Sequence, residues 1–78
     1  MEIETRLQNA FSKAFKRRVV YLPTLSMKDN PKWDSLKHVT FMVELEKEFG
    51  IRVNGSEAAH LVSIPDIKEF LQKRLSDG

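Results

Sequence analysis

Residues 34–53 read DSLKHVTFMVELEKEFGIRV, and the fold turns on this stretch. Asp34 is a strong helix N-cap, because its carboxylate can accept a bond from a free backbone N–H of the first turn. The helix it opens should run over residues 35–49 and stop at Gly50, a residue that tolerates the left-handed conformation just past a helix end. Ile51 and Val53 follow and can fold back onto its apolar face. Ser35 then lies in the first turn, with its hydroxyl near the positive end of the helix dipole. A phosphate attached there would be stabilised by that end.

On a wheel of 100° per residue, Leu36, Phe41, Leu45, Phe49, Met42, Val39 and Val43 share one side. Their arc spans roughly 220°, wider than the ~100° stripe a surface helix needs. Its centre must be core. One edge, Leu36 and Val43, lies beside Ser35; either other segments cover it or it stays open as a docking surface. His38 falls inside the arc and reads as a satisfied, partly buried histidine. No second His, Asp or Glu is placed to complete a triad, and a metal on His38 and His60 would need further ligands. Lys37, Thr40, Glu44 and Lys47 fall on the opposite, solvated side.

Working outward, residues 2–16 carry Ile3, Leu7, Ala10, Phe11, Ala14 and Phe15 at spacings of three and four, an amphipathic helix. Glu2 and Glu4 near its start and Lys13, Lys16, Arg17 and Arg18 at its end suit the helix dipole. The basic cluster reads as a solvated terminus, with a docking patch as the other possibility. Residues 19–33 form a long connection punctuated by Pro23 and Pro31, with Asp29-Asn30-Pro31 a turn signal. A strand here would have nothing to pair with, so a loop pinned by Leu22 and Leu25 is expected. Asn54 and Glu57 make a capping-box pattern for a short helix within 54–61, with Ala58, Ala59, Leu61 and Val62 as apolar contacts. Ser63 caps a last helix, with Pro65 in its first turn, where proline is tolerated. Ile64, Ile67, Leu71 and Leu75, with Phe70 beside them, should face the core.

The expected fold is all-α: a small four-helix bundle, three helices long and one short, with a long loop between the first two. With 78 residues the chain suffices for one domain. A domain of this size buries roughly 60–65% of its surface and has no room for a deep catalytic cleft. There is no cysteine, hence no disulfide and no thiolate metal site. No leader-like or long apolar segment is visible, so a cytoplasmic protein is expected. The net charge of +2 is too mild to argue for nucleic acid. There is no local nucleophile–base pair, glycine-rich phosphate loop or metal constellation, so enzymatic activity is not expected. Ser35 has nothing nearby in sequence to deprotonate it.

D-S-L at the start of an amphipathic helix, continued by L-E-x-E-F-G-I, resembles the second helix of an acyl carrier protein. The resemblance covers nearly the whole chain in length, helix order and position of the Ser. It implies that residues 1–78 form a single carrier domain. Ser35 would carry a 4′-phosphopantetheine arm, moved from coenzyme A by a phosphopantetheinyl transferase. Asp34 would cap the helix and help the transferase engage. The arm's thiol would hold an acyl or aminoacyl group as a thioester, loaded by a ligase and passed to downstream acyl-transfer enzymes. A monomer that neither binds nucleic acid nor inserts into membranes is expected.

The chain departs from the family in charge. Typical acyl carrier proteins are strongly acidic, whereas the sequence pI here is about 9.1. Lys37 and Lys47 stand where the family pattern has or continues carboxylates. Leu36, Lys37, Val43 and Lys47 are therefore the candidate partner-contact residues, and dedicated partners in a specialised pathway are implied. Two other readings are carried: an unmodified carrier fold serving as an interaction module, and a small helical nucleic-acid binder using Lys13, Lys16, Arg17 and Arg18.

Overall fold

A computed structural model describes residues 2–77. Four helices follow in order: α1 (Ile3–Phe15), α2 (Ser35–Phe49), α3 (Gly55–His60) and α4 (Ile64–Asp77), with a single 3-10 turn at Met27–Asp29 in the long first loop. No strand forms among the described residues. This is the all-α, three-long-and-one-short bundle that the periodicity predicts.

α1 buries Leu7, Ala10, Phe11, Ala14 and Phe15 and packs chiefly on α2, with a smaller contact to α4. The polar ties fix the direction of the pair. Arg6, early in α1, donates from Nε to Glu48 Oε2 at 3.2 Å, and Lys13 Nζ lies 3.7 Å from the other oxygen of the same carboxylate. At the opposite end the Lys37 ammonium, early in α2, donates to the Ala14 carbonyl at 3.4 Å. The start of one helix thus meets the end of the other, and α1 and α2 run antiparallel.

The core between them is aromatic. Phe11 and Phe15 stack with centroids 4.4 Å apart, and Phe41 from α2 stands edge-on to both at 5.5 Å. Trp33 closes the cluster edge-on to Phe15 at 5.9 Å and to Phe41 at 5.6 Å. Such edge-to-face pairs add roughly 0.5–1.5 kcal/mol each beyond the area they bury.

The long loop is pinned differently from expectation. Leu22 is 50% exposed and pins nothing. Leu25 packs against the core as expected, Val19, Tyr21 and Met27 join it there in place of Leu22, and Trp33 is fully buried. The loop finds main-chain partners at the α3–α4 junction. Met27 N donates to Val62 O and Ile64 N to Leu25 O, both at 2.8 Å, around one isolated antiparallel bridge between Ser26 and Ser63. The Tyr21 hydroxyl donates to Glu4 at 2.9 Å, and Lys68 of α4 pairs with the same carboxylate at 2.9 Å. The Lys68 ammonium holds the Glu4 carboxyl below its usual range, with the Tyr21 bond contributing.

α3 has its capping box: Glu57 N donates to Asn54 Oδ1 at 2.7 Å and Asn54 N to Glu57 Oε1 at 3.1 Å. The same Glu57 carboxylate pairs with Arg74 of α4. Ala58 and Leu61 supply the apolar contact of this segment. Ala59 and Val62 are exposed, because a helix of six residues can turn only one narrow face inward. α4 starts with Ser63 Oγ accepting from Asp66 N at 3.1 Å. It buries Ile64, Ile67 and Leu71 completely, with Phe70 and Leu75 packed at the margin.

Candidate functional site

α2 begins as its cap dictates. Asp34 holds an extended backbone and its Oδ1 accepts from Lys37 N at 2.9 Å. Gly50 ends the helix at φ 65, the left-handed value that glycine adopts without a Cβ penalty. Ser35 is the first residue of α2 and is exposed. Its own N–H and that of Leu36 have no carbonyl one turn back within the helix, so they contribute to the positive end of the dipole around the hydroxyl.

The flanks of Ser35 are held firmly. On one side, Lys32 N donates to Asn30 Oδ1 at 2.9 Å and Trp33 N to Asn30 O at 3.0 Å. This tight turn drops the indole of Trp33 into the core. On the other side His38, half-buried, receives the indole Nε1–H on its Nδ1 at 3.1 Å. Its remaining nitrogen, Nε2, must then carry the proton, and it donates to the Ala58 carbonyl at 2.8 Å. One imidazole therefore joins the loop, α2 and α3 around Ser35. Reading the sequence left Trp33 without a role. A lone tryptophan in an otherwise polar segment, next to a helix cap, was the available signal.

With both nitrogens of His38 engaged in structure, that imidazole is not free to act on Ser35. No carboxylate or imidazole is hydrogen-bonded to the Ser35 hydroxyl among the described residues. Nor do the described residues contain a group of three or more His, Cys, Asp or Glu side chains able to hold a metal ion.

The apolar edge of α2 is open. Leu36, Val39 and Val43 are 75%, 62% and 40% exposed. Their spacing of three and four puts them on one stripe, while Phe41, Met42, Leu45 and Phe49 take the buried face. The opposite face is less solvated than the wheel suggests. Lys37, Thr40 and Glu44 are half-buried. Lys37 reaches across to the last turn of α1, and the Thr40 hydroxyl turns back onto the Leu36 carbonyl at 3.2 Å. Lys47 is exposed. It lies ten residues beyond Lys37, about 15 Å along the axis at 1.5 Å per residue. So Leu36 and Val43 share a surface, whereas the two lysines do not meet.

The site thus consists of a capped helix with an exposed serine in its first turn and an open apolar stripe, within a small helical bundle. No family model matches the chain, and no solved structure does. Among curated proteins it is 37% identical over 43 residues to an acyl carrier protein of Rickettsia bellii, covering 55% of this chain and 53% of that protein. It is 29% identical over 55 residues to an acyl carrier protein of Thermosynechococcus vestitus, covering 70% and 68% respectively. The chain thus spans about half the length of the first of these relatives and two thirds of the second. The two matches and the fold support an acyl-carrier-protein-like family for this chain.

Proposed function

We propose that this chain is a carrier protein of a specialised biosynthetic pathway, with a 4′-phosphopantetheine arm attached to Ser35. The observation that carries the reading is an exposed hydroxyl, fixed at a helix N-terminus between two anchored residues, with no base of its own. That setting fits the group: the first-turn N–H groups favour a phosphodiester there, and nothing covers the hydroxyl. A phosphopantetheinyl transferase would supply the metal and the base that takes the Ser35 proton, and the Ser35 oxygen would attack the pantetheine-side phosphorus of the coenzyme A pyrophosphate, with adenosine 3′,5′-bisphosphate leaving. The arm would supply a thiol that holds an acyl or aminoacyl group as a thioester. The protein's own residues then do three things. Ser35 anchors, Asp34 keeps the helix start formed and offers the transferase a carboxylate, and Leu36 and Val43 give partner enzymes an apolar surface. Lys37 and Lys47 would select against partners built for an acidic carrier. On this reading residues 1–78 act as one non-enzymatic carrier domain, monomeric and cytoplasmic. Among the described residues no helix is long and apolar enough to cross a membrane.

The test is incubation with coenzyme A and a promiscuous transferase, read by intact mass. One arm should be added to the wild type and none to Ser35→Ala. Addition at Ser12, Ser26, Ser56, Ser63 or Ser76 would refute the site. No addition to the wild type would leave the carrier fold as an unmodified interaction module.

A further inference from the structure

α1 ends through two successive residues in the left-handed region, Lys16 at φ 49 and Arg17 at φ 69. Glycine or asparagine would adopt this backbone more easily, and strain of this kind gathers at working surfaces. The turn brings Arg17 and Arg18 to the surface, where they line a groove of about 540 Å³ together with Lys32, Lys37, Phe15 and Val19. Asp34, the residue before Ser35, is also part of its lining. The two lysine ammoniums rest on backbone carbonyls, Lys32 on Arg18 O at 3.3 Å and Lys37 on Ala14 O at 3.4 Å. Among the described residues none of the four cations has a carboxylate at ion-pair distance, whereas Arg6, Lys13, Lys68, Lys73 and Arg74 each do. Unpaired cations around a concavity concentrate a positive potential there. Val20, Leu36 and Val39 add exposed apolar surface on the flanking segments.

We propose that this groove docks an acidic segment of a partner protein. The partner's carboxylates meet Arg17, Arg18, Lys32 and Lys37 while its apolar side chains cover Leu36 and Val39. The proposal rests on the carrier reading for its purpose, since it places the partner beside Ser35, but its test does not need Ser35 to be modified. A nucleic acid fits less well. It would want aromatic faces for stacking or an unbroken track of cations, yet Phe15 and Trp33 are buried, Asp34 interrupts the cations, and a phosphate backbone leaves the apolar stripe uncovered.

The test uses isotopically labelled full-length Ser35→Ala, which cannot be loaded, followed by amide chemical shifts. It is titrated with two synthetic helical peptides that share an apolar stripe, one flanked by Glu and one by Lys, and with a single-stranded DNA oligonucleotide. The Glu peptide should shift amides of residues 15–20 and 32–39, and should bind about tenfold more tightly than the Lys peptide at low salt. Arg18→Glu/Lys32→Glu should weaken the Glu peptide by about tenfold. Arg17→Gln/Arg18→Gln, which disturbs no hydrogen bond of these side chains, should weaken it by a smaller factor and serves if the reversal variant does not fold. Equal affinity for the two peptides, no binding of the Glu peptide, shifts confined elsewhere, or tighter binding of the oligonucleotide would each overturn the proposal. Failure of the wild type to accept an arm would instead sink the carrier reading and leave these titrations standing.

Discussion

Replacing His38 with leucine tests the clamp around Ser35 most directly. Leucine fills a similar volume but can make no hydrogen bond. The Trp33 indole N–H would lose its acceptor while Trp33 is only 1% exposed, so water cannot replace the imidazole without a local opening. A buried donor left unsatisfied costs roughly 1–3 kcal/mol. The Ala58 carbonyl loses one donor but still accepts from Leu61 N at 3.2 Å. It sits in a half-buried helix end, where water can compensate, so it adds little. The expected loss is therefore about 1.5–3 kcal/mol, a large share of the roughly 4–12 kcal/mol that a domain of this length has. Urea unfolding followed by far-UV circular dichroism measures it. Trp33→Phe removes the donor from the other side, and the double variant closes a cycle. If the bond matters as drawn, the double variant should be at least about 1 kcal/mol more stable than additivity predicts. A His38→Leu loss within about 0.5 kcal/mol of zero, the range of surface changes, or strictly additive losses, would refute the reasoning.

Three further outcomes are expected. Phe49 is 7% exposed and the Arg6 guanidinium lies over its ring at 5.5 Å, so Phe49→Ala should cost ~3–5 kcal/mol in the same assay; a loss under ~1 kcal/mol would mean the helix is rotated from this placement. Burial, reinforced by the Glu4 hydrogen bond and charge, pushes the Tyr21 phenol above its ordinary value of 10.0. A raised folded value means its contribution to stability is complete below about that pH and is lost as pH rises through the folded value. Tyrosinate absorbance from this single tyrosine should thus appear later than in an unfolded control. Glu4, whose value is lowered, behaves oppositely, its contribution being present above 4.5 and lost as pH falls through the folded value. Finally, Lys37→Glu/Lys47→Glu should improve kcat/KM with enzymes serving an ordinary acidic carrier and reduce it with native partners, more at low salt. Leu36→Ala should reduce both, and an unchanged ratio would move specificity away from these lysines. A melting curve controls for the lost Lys37–Ala14 bond.

What the sequence determined by itself was local. Helix boundaries followed from caps that act within four residues: Asp34, Gly50, the Asn54–Glu57 pair and Ser63. Helix faces followed from a period that each segment carries alone, which is why Phe41, Leu45, Ile67 and Leu71 were placed in the core. The serine at the start of α2 was legible for the same reason. The tertiary structure decided everything that depends on which segment covers which. Leu22 and Trp33 lie in one irregular loop with no period to sort them, and only the cavity between α1 and α2 selects the indole. The apolar edge at Leu36 and Val43 could equally have been covered or open on the wheel, and it is open because no other segment among the described residues covers it. Lys37 counted as solvated on its own helix, yet the end of α1 offers it a carbonyl. The basic groove draws Arg17, Arg18 and Lys32 from the two ends of the long loop and Lys37 from α2, and such a convergence becomes visible only when burial of the aromatic core brings the loop ends together.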